Sequence, residues 1–376
     1  MNFALLAVLG VTSCSKEPMA TEVKEEGVFV TLNLATRAPS ATKADTDIWG
    51  DFKPQEEAIA YENTIERTSL QVLVYDASGN YFDKVDDFVW YTSSDGDSYK
   101  LTGKLATRDT TGGTTRYYTA SGKELSGSTD YKIVVFANSG TVDTTKSLEE
   151  ATSTISYDFV TTDFDYTAPK KYLPMWGVLT TQFDLSDAQA GENQDVGTIY
   201  MLRAVAKVHV YFLSTGTAKS FYDLNSVTIN SNNSKGYCMP YAAASAEATT
   251  DIYTEDATAS GKTGGYTFNP YAASASGFTT EAIDNDIIFY LPEYDNLSDA
   301  TKAAKLSVAL TNKSTSNEVK FEDAVEFIND AGDKVNIIRN HVYNIAINSV
   351  AEGEDHLRFK VTIEDLILEG EYYYEY

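Results

Sequence analysis

The sequence predicts an all-β protein made of two tandem β-sandwich domains. Three observations carry this. Tyr (26) and Phe (17) stand among abundant Thr and Val, the residues that favour strands. Short stretches in which apolar and polar side chains alternate recur along the chain, while long runs at helical spacing are scarce. A length of 376 residues exceeds one ordinary sandwich and suits two cores.

Taken in order, Phe3 to Val11 is an apolar run too short to span a bilayer, followed by Val11-Thr12-Ser13-Cys14 and a polar Ser-Lys-Glu-Pro stretch. Residues 1–14 therefore read as a lipoprotein signal peptide. In the bacterial pattern they resemble, apolar Val11 and small Ser13 admit the signal peptidase to the bond before Cys14, whose thiol takes the lipid. No Lys or Arg precedes the run, as expected if the native start lies upstream. A polar tether leads to Gly27-Val-Phe-Val-Thr-Leu-Asn-Leu34, where Val28, Val30, Leu32 and Leu34 share one face of an extended chain. Ala35-Thr36-Arg37-Ala38-Pro39-Ser40 and the small polar residues to Asp47 then read as an exposed loop.

Leu70 to Tyr75, the turn cluster Asp76-Ala-Ser-Gly-Asn80 and Tyr81 to Val85 form a hairpin pattern. Tyr131-Lys-Ile-Val-Val-Phe-Ala-Asn138 is apolar on both sides and predicts a central strand. Ser147 to Ser153 suits a short helix, and a strand is expected from the Leu173-Pro-Met-Trp-Gly177 turn to Phe183. The acidic, small-residue stretch Ser186 to Gly197 sets the expected boundary between an N-terminal domain, 38–196, and a C-terminal domain, 197–376. The second opens with one long strand, Met201 to Tyr211, and continues through strands at 226–229, 287–293, 305–310 and 338–348.

Near the C-terminus, Leu357, Phe359, Val361 and Ile363 alternate with Arg358, Lys360, Thr362 and Glu364, the pattern of a half-buried strand. Leu366, Leu368, Gly370, Tyr372, Tyr374 and Tyr376 then alternate with Ile367, Glu369, Glu371, Tyr373 and Glu375. The first stretch is expected to pair within its own domain, leaving 366–376 as a strand available to a groove elsewhere.

Charge and motif content narrow the function. A formal net charge of -26 repels phosphate backbones, which argues against nucleic-acid binding. With Cys14 assigned to lipid, only Cys238 remains of the 2 cysteines, so no internal disulfide is available and Cys238 reads as an inert buried thiol. His209, His341 and His356 lie in or beside different strands, without metal-ligand spacing. Gly-x-Ser-x-Gly, HExxH and phosphate-loop motifs are missing, so an enzyme is not expected, nor a metal or other cofactor. Ser94-Asp-Gly-Asp97 reads as a turn rather than a calcium loop.

Six motifs in order carry a resemblance: Leu34-Ala-Thr-Arg-Ala38, Val-Val-Phe-Ala-Asn ending at Asn138, Pro174-Met-Trp-Gly177, Leu202-Arg-Ala-Val-Ala-Lys-Val208, Tyr290-Leu-Pro-Glu293 and Arg339-Asn-His-Val-Tyr343. With the lipobox before them, they resemble the type V pilins (fimbrillins) of Bacteroidales over essentially the whole chain. The resemblance implies two transthyretin-like (Greek-key) β-sandwich domains and a precursor lipoprotein carried to the outer membrane. It also implies cleavage by an arginine-specific protease after the first strand, and polymerisation with other pilin subunits, the same or accessory, by donor-strand exchange into a cell-surface fimbria. Carried onto this sequence, 15–37 is a propeptide cut between Arg37 and Ala38; Lys43, the other basic residue of that stretch, is the alternative cleavage site. Val28, Val30, Leu32 and Leu34 belong to the departing strand. Leu366, Leu368, Tyr372, Tyr374 and Tyr376 belong to the donor. The alternatives are a tip, accessory or anchor subunit and, from another class, a surface glycan-binding lipoprotein using Trp49, Trp90 or Trp176.

Overall fold

A computed structural model of the chain describes residues 27–35, 60–92, 98–151, 155–159, 163–164, 170–185, 193–233, 235–239, 263–268, 286–297, 299–329, 331–351 and 356–365. The first half contributes β1 (Gly27–Ala35), β2 (Gln71–Asp76), β3 (Tyr81–Thr92), β4 (Ser98–Asp109), β5 (Arg116–Thr119), β6 (Tyr131–Ala137), β7 (Ser156–Asp158), β8 (Met175–Thr181), β9 (Asn193–Tyr200) and β10 (Leu202–Arg203). Two short helices, α1 (Ala60–Asn63) and α2 (Leu148–Ala151), lie among them.

One continuous sheet runs β10-β8-β6-β2-β3-β4-β1-β9, with β5 beside β4. It doubles over because β3 changes partner: Tyr81 to Val85 pair with β2, and Asp86 to Thr92 pair with β4. The register slips between Asp86 and Val89, and Asp87 takes the left-handed conformation (φ 56) that bends the strand. Both halves then face one core, where Val30 and Leu32 meet Val72, Leu101, Ile133 and Ile199. On the opposite face of β2, β6 and β8, Leu73, Tyr75, Val134, Phe136 and Trp176 pack beneath Leu148, Ala151, Cys238 and Met239. This double burial is why β6 reads as apolar on both sides.

The second half contributes β11 (Val205–Phe212), α3 (Ala218–Phe221), β12 (Tyr222–Ser231), β13 (Lys235–Tyr237), β14 (Thr263–Phe268), β15 (Ile287–Pro292), β16 (Lys305–Asn312), β17 (Glu318–Glu326), β18 (His341–Val350) and β19 (Leu357–Asp365). Two four-stranded sheets, β15-β11-β18-β19 and β14-β12-β16-β17, pack over a core that includes Val208, Val227, Val308 and Ile345. Phe159, Phe164 and Leu173 reach into this core, and β7 pairs with β13.

Two expected strands differ from those observed. Met201 to Tyr211 is not one strand: β10 pairs with β8 in the first sheet, and β11 pairs with β15 and β18 in the second. The break is at Ala204, whose N–H donates to Pro174 O at 2.8 Å while Tyr157 Oη donates to Ala204 O at 2.8 Å. The strand expected from Ile338 begins only at His341, because Asn340 is left-handed (φ 55) and its N–H donates to Val205 O at 2.8 Å.

A buried polar cluster fills this crossing. Lys207 Nζ lies 3.1 Å from Glu62 Oε1, both side chains being 0% exposed, and Tyr290 Oη donates to the same oxygen at 2.5 Å. Arg203 donates through Nε to Glu62 O at 2.8 Å, through a terminal nitrogen to Asn340 Oδ1 at 3.0 Å, and to Asn63 Oδ1. Arg339 pairs with Glu293 at 2.6 Å and donates to the Cys238 and Tyr237 carbonyls at 2.8 and 3.0 Å. Burial pulls the Arg203 guanidinium down to about 10, opposed by the Glu62 carboxylate, and leaves it charged near neutrality.

Candidate functional site: the groove that holds the first strand

The local sequence makes β1 a strand, with four aliphatic side chains on alternate positions and no Pro inside the run. Its place in the sheet is unusual for the first strand of a chain segment, because it is internal. It runs antiparallel to β4, from Gly27 opposite Thr107 to Ala35 opposite Ser98. On its other side it runs parallel to β9, from Phe29 beside Asn193 to Ala35 beside Tyr200.

Val28, Val30, Leu32 and Leu34 are each 0% exposed and point into the first core. At about 1.5 to 3 kcal/mol per buried aliphatic side chain, they contribute on the order of 6 to 12 kcal/mol. The opposite face holds Phe29 and Asn33, half-buried, and Thr31, whose hydroxyl bonds that of Thr102 at 2.7 Å. Close approach is built in along the β4 side of the groove. A Cβ at Gly27 would meet Ala106 O at 2.4 Å, and one at Gly103, opposite Val30, would meet Val85 and Phe88 within 2.7 Å. At the far end, Met201 N donates to Ala35 O at 2.7 Å.

β1 is thus a plug between two strands. Taking it out would strip backbone partners from β4 and β9 together and open four apolar positions, a gap that strongly favours refilling by another extended segment.

The other expected site residues distribute as follows. Arg37, Ala38, Lys43, Cys14 and the donor residues Leu366, Leu368, Tyr372, Tyr374 and Tyr376 lie outside the described residues, as do Trp49 and Ser94 to Asp97. Arg37 stands two positions beyond the last residue of β1. Leu357 to Ile363 lie in β19, which pairs antiparallel with β18 and seats Leu357 and Val361 in the second core. Trp176 is 0% exposed, and Trp90 packs edge-on to Tyr99 at 6.0 Å with Arg67 over its ring at 5.2 Å, so Trp176 offers no face to a sugar and Trp90 is already engaged.

His209 Nε2 lies 2.9 Å from Asp286 Oδ2 and its ring stacks on Tyr211 at 4.6 Å. His341 Nδ1 donates to Arg339 O at 2.7 Å, and His356 is exposed. Cys238 is fully buried, and burial pushes its thiol up to about 12. Among the described residues no group of three or more His, Cys, Asp or Glu is arranged to hold a metal ion. Sequence reasoning missed the Glu62, Arg203, Lys207 and Tyr290 cluster. Its signal was present in Arg203 and Lys207, two cations breaking an otherwise apolar run.

The chain is a member of the major fimbrial subunit protein (FimA) family, whose model matches residues 29–235, more than half of the sequence and a span that starts within β1. This is the pilin family identified from the six motifs, and it is a family of fimbrial structural subunits rather than of enzymes. Among solved structures, the chain is similar to one from Parabacteroides distasonis proposed to be a cell adhesion protein, at 15% identity over 92% of this chain and 99% of that one, with a TM-score of 0.49. It is also similar to a fimbrilin of Porphyromonas gingivalis, at 13% identity over 93% of this chain and 100% of that one, with a TM-score of 0.42. No match was found among curated protein sequences.

Proposed function

We propose that this fimbrial subunit polymerises by protease-triggered strand exchange and so builds an adhesive surface filament. Cleavage between Arg37 and Ala38 frees β1. The strand leaves, and residues 366–376 of another copy enter between β4 and β9. Before the cut, lipid on Cys14 holds the precursor at the outer membrane, where an arginine-specific protease acts on it.

The observation that supports this most directly is the seating of β1. Four side chains at 0% exposure and a strand partner on each edge make it integral to the first core. Yet only Thr36 separates its last residue from Arg37, in a stretch of sequence whose small and polar residues suit an extended protease substrate. A strand so well buried and so close to a basic cleavage residue is suited to removal by a single cut.

Incubation of the lipid-free chain with an arginine-specific protease tests the proposal, with the new N-terminus mapped and products run unboiled on gels. A second version ends at Asp365. Ladders that need both an Ala38 N-terminus and residues 366–376 are the expected result. A cleaved chain that stays monomeric in both versions would overturn strand exchange.

A further inference from the structure

The outward row of β4 facing β1 is Lys104, Thr102 and Lys100, set opposite Phe29, Thr31 and Asn33. Lys100 is exposed and Lys104 half-buried, whereas the intervening Leu101 is 0% exposed and points to the core. The plug strand therefore lays a neutral row beside two ammonium groups. The neighbouring strands modulate this: β3 sets Asp86 opposite Lys104 and Tyr91 opposite Lys100, and β9 sets Asp195 beside Thr31. Asp86 is also bound by Lys84 at 2.9 Å.

Residues 366–376 carry the complementary pattern. With Leu366, Leu368, Tyr372 and Tyr374 turned to the core, strand alternation turns Glu369, Glu371 and Glu375 outward. Sliding this segment through the positions of Val28, Val30, Leu32 and Leu34 in steps of two gives the same outcome in either direction. Every register that fills all four positions sets a glutamate opposite Lys100 or Lys104. Entering as Val28 is replaced by Leu366, for example, Glu371 meets Lys100; replaced by Leu368, Glu369 meets Lys104.

We propose that Lys100 and Lys104 form a charge-selective edge of the groove that recognises the outward carboxylates of residues 366–376 from a second copy. The inference rests on the strand-exchange reading and names what the groove selects. Opposite charges across paired strands favour association and like charges oppose it, so the incoming strand gains an interaction that β1, with Phe29, Thr31 and Asn33, does not have. Asp195 offsets part of the gain where a glutamate takes the place of Thr31. Asp86 offsets part of it beside Lys104 and is itself bound by Lys84, while Lys100 faces Tyr91.

The full chain, cut by an arginine-specific protease at low salt, is followed by the rate of ladder formation. Reversal by Lys100→Glu with Lys104→Glu should slow ladders about tenfold. Adding Glu369→Lys, Glu371→Lys and Glu375→Lys to the same chain should restore most of the rate. High salt should narrow the gap between wild type and the reversed chain. Melting of the uncleaved variants is followed alongside, so that any loss through Asp86, opposite Lys104 on β3, is read separately from the ladder rate. Should the reversal disturb folding through Asp86, the milder Lys100→Gln with Lys104→Gln serves instead, its ladder rate expected to lose most of its salt dependence. A reversed chain that ladders at the wild-type rate, or one slowed without rescue by the tail substitutions, would overturn the proposal while leaving strand exchange intact. A wild-type chain that is cut and forms no ladder would remove both.

Discussion

Asp83 shows how a single polar residue supports the first sandwich. It is 3% exposed, and its carboxylate accepts from Ser121 Oγ at 2.7 Å, Ser121 N at 3.0 Å and Lys84 N at 2.9 Å. Burial pushes its pKa up, but the hydrogen bonds of Thr119, Ser121 and Lys84 outweigh burial and hold it below the ordinary carboxylate value. A carboxyl depressed on folding adds stability that is fully present above the unfolded value of about 3.9 and is lost as pH falls through the folded one. Asp83→Asn should therefore lower unfolding free energy by about 1.5 to 3 kcal/mol at neutral pH. The gap from wild type should close as urea titrations are repeated below about pH 4. Cys238 makes a simpler prediction at the same scale. A fully buried thiol whose pKa is pushed up to about 12 should resist thiol reagents at pH 8 in the native chain and react once urea unfolds it.

Among elements, β1 is the one whose contribution would change under the proposed strand exchange. In the uncut chain, Leu32→Ala deletes a side chain that is 0% exposed in the first core, and should destabilise by about 2 to 5 kcal/mol. In a filament built by strand exchange β1 has gone, so the same substitution should leave the heat resistance of ladders unchanged. Equal losses in precursor and ladder would mean that β1 stays in place after assembly. The pattern of β1 was legible from residues 27–34 because strand alternation is local. Its internal position was not, since the partners Ser98 to Thr107 and Asn193 to Tyr200 lie far along the chain and share no local signal with it. The same distinction applies to β10 and β11: apolar residues run unbroken from Met201 to Val210 except at Arg203, Lys207 and His209, and nothing local marks the change of sheet at Ala204.

For the molecule as a whole, the crossing between the two sandwiches is held by charge as well as by apolar packing. The segment that follows the proposed cut supplies Glu62, which faces Lys207 on the first strand of the second sandwich. In the proposed exchange, its position would keep the chain from Ala60 onward anchored to the second half. Glu62→Gln removes the carboxylate and should cost about 3 to 5 kcal/mol. The loss should be partly recovered by Lys207→Met in the same chain, as a double-mutant cycle in urea would register. If the cluster couples the two sandwiches, wild type should unfold in one calorimetric transition and Glu62→Gln should separate it into two. A single unshifted transition in the variant would show that packing around Phe159, Phe164 and Leu173 suffices.

By itself the sequence determined the all-β class, the amphipathic strand at 27–34, the hairpin at 70–85, the apolar central strand at 131–137 and the family, because each is written in short-range alternation or contiguous motifs. Tertiary structure alone decided that β1 sits between an antiparallel and a parallel neighbour, that Lys100 and Lys104 line its outer row, and that Glu62, Arg203, Lys207 and Tyr290 meet in one buried cluster. The reason is physical. Alternation fixes which face of a strand is buried, but the partner across the sheet is chosen by packing and hydrogen bonding among segments far apart in the chain, and a buried charge becomes tolerable only where such segments bring its counter-charge within reach.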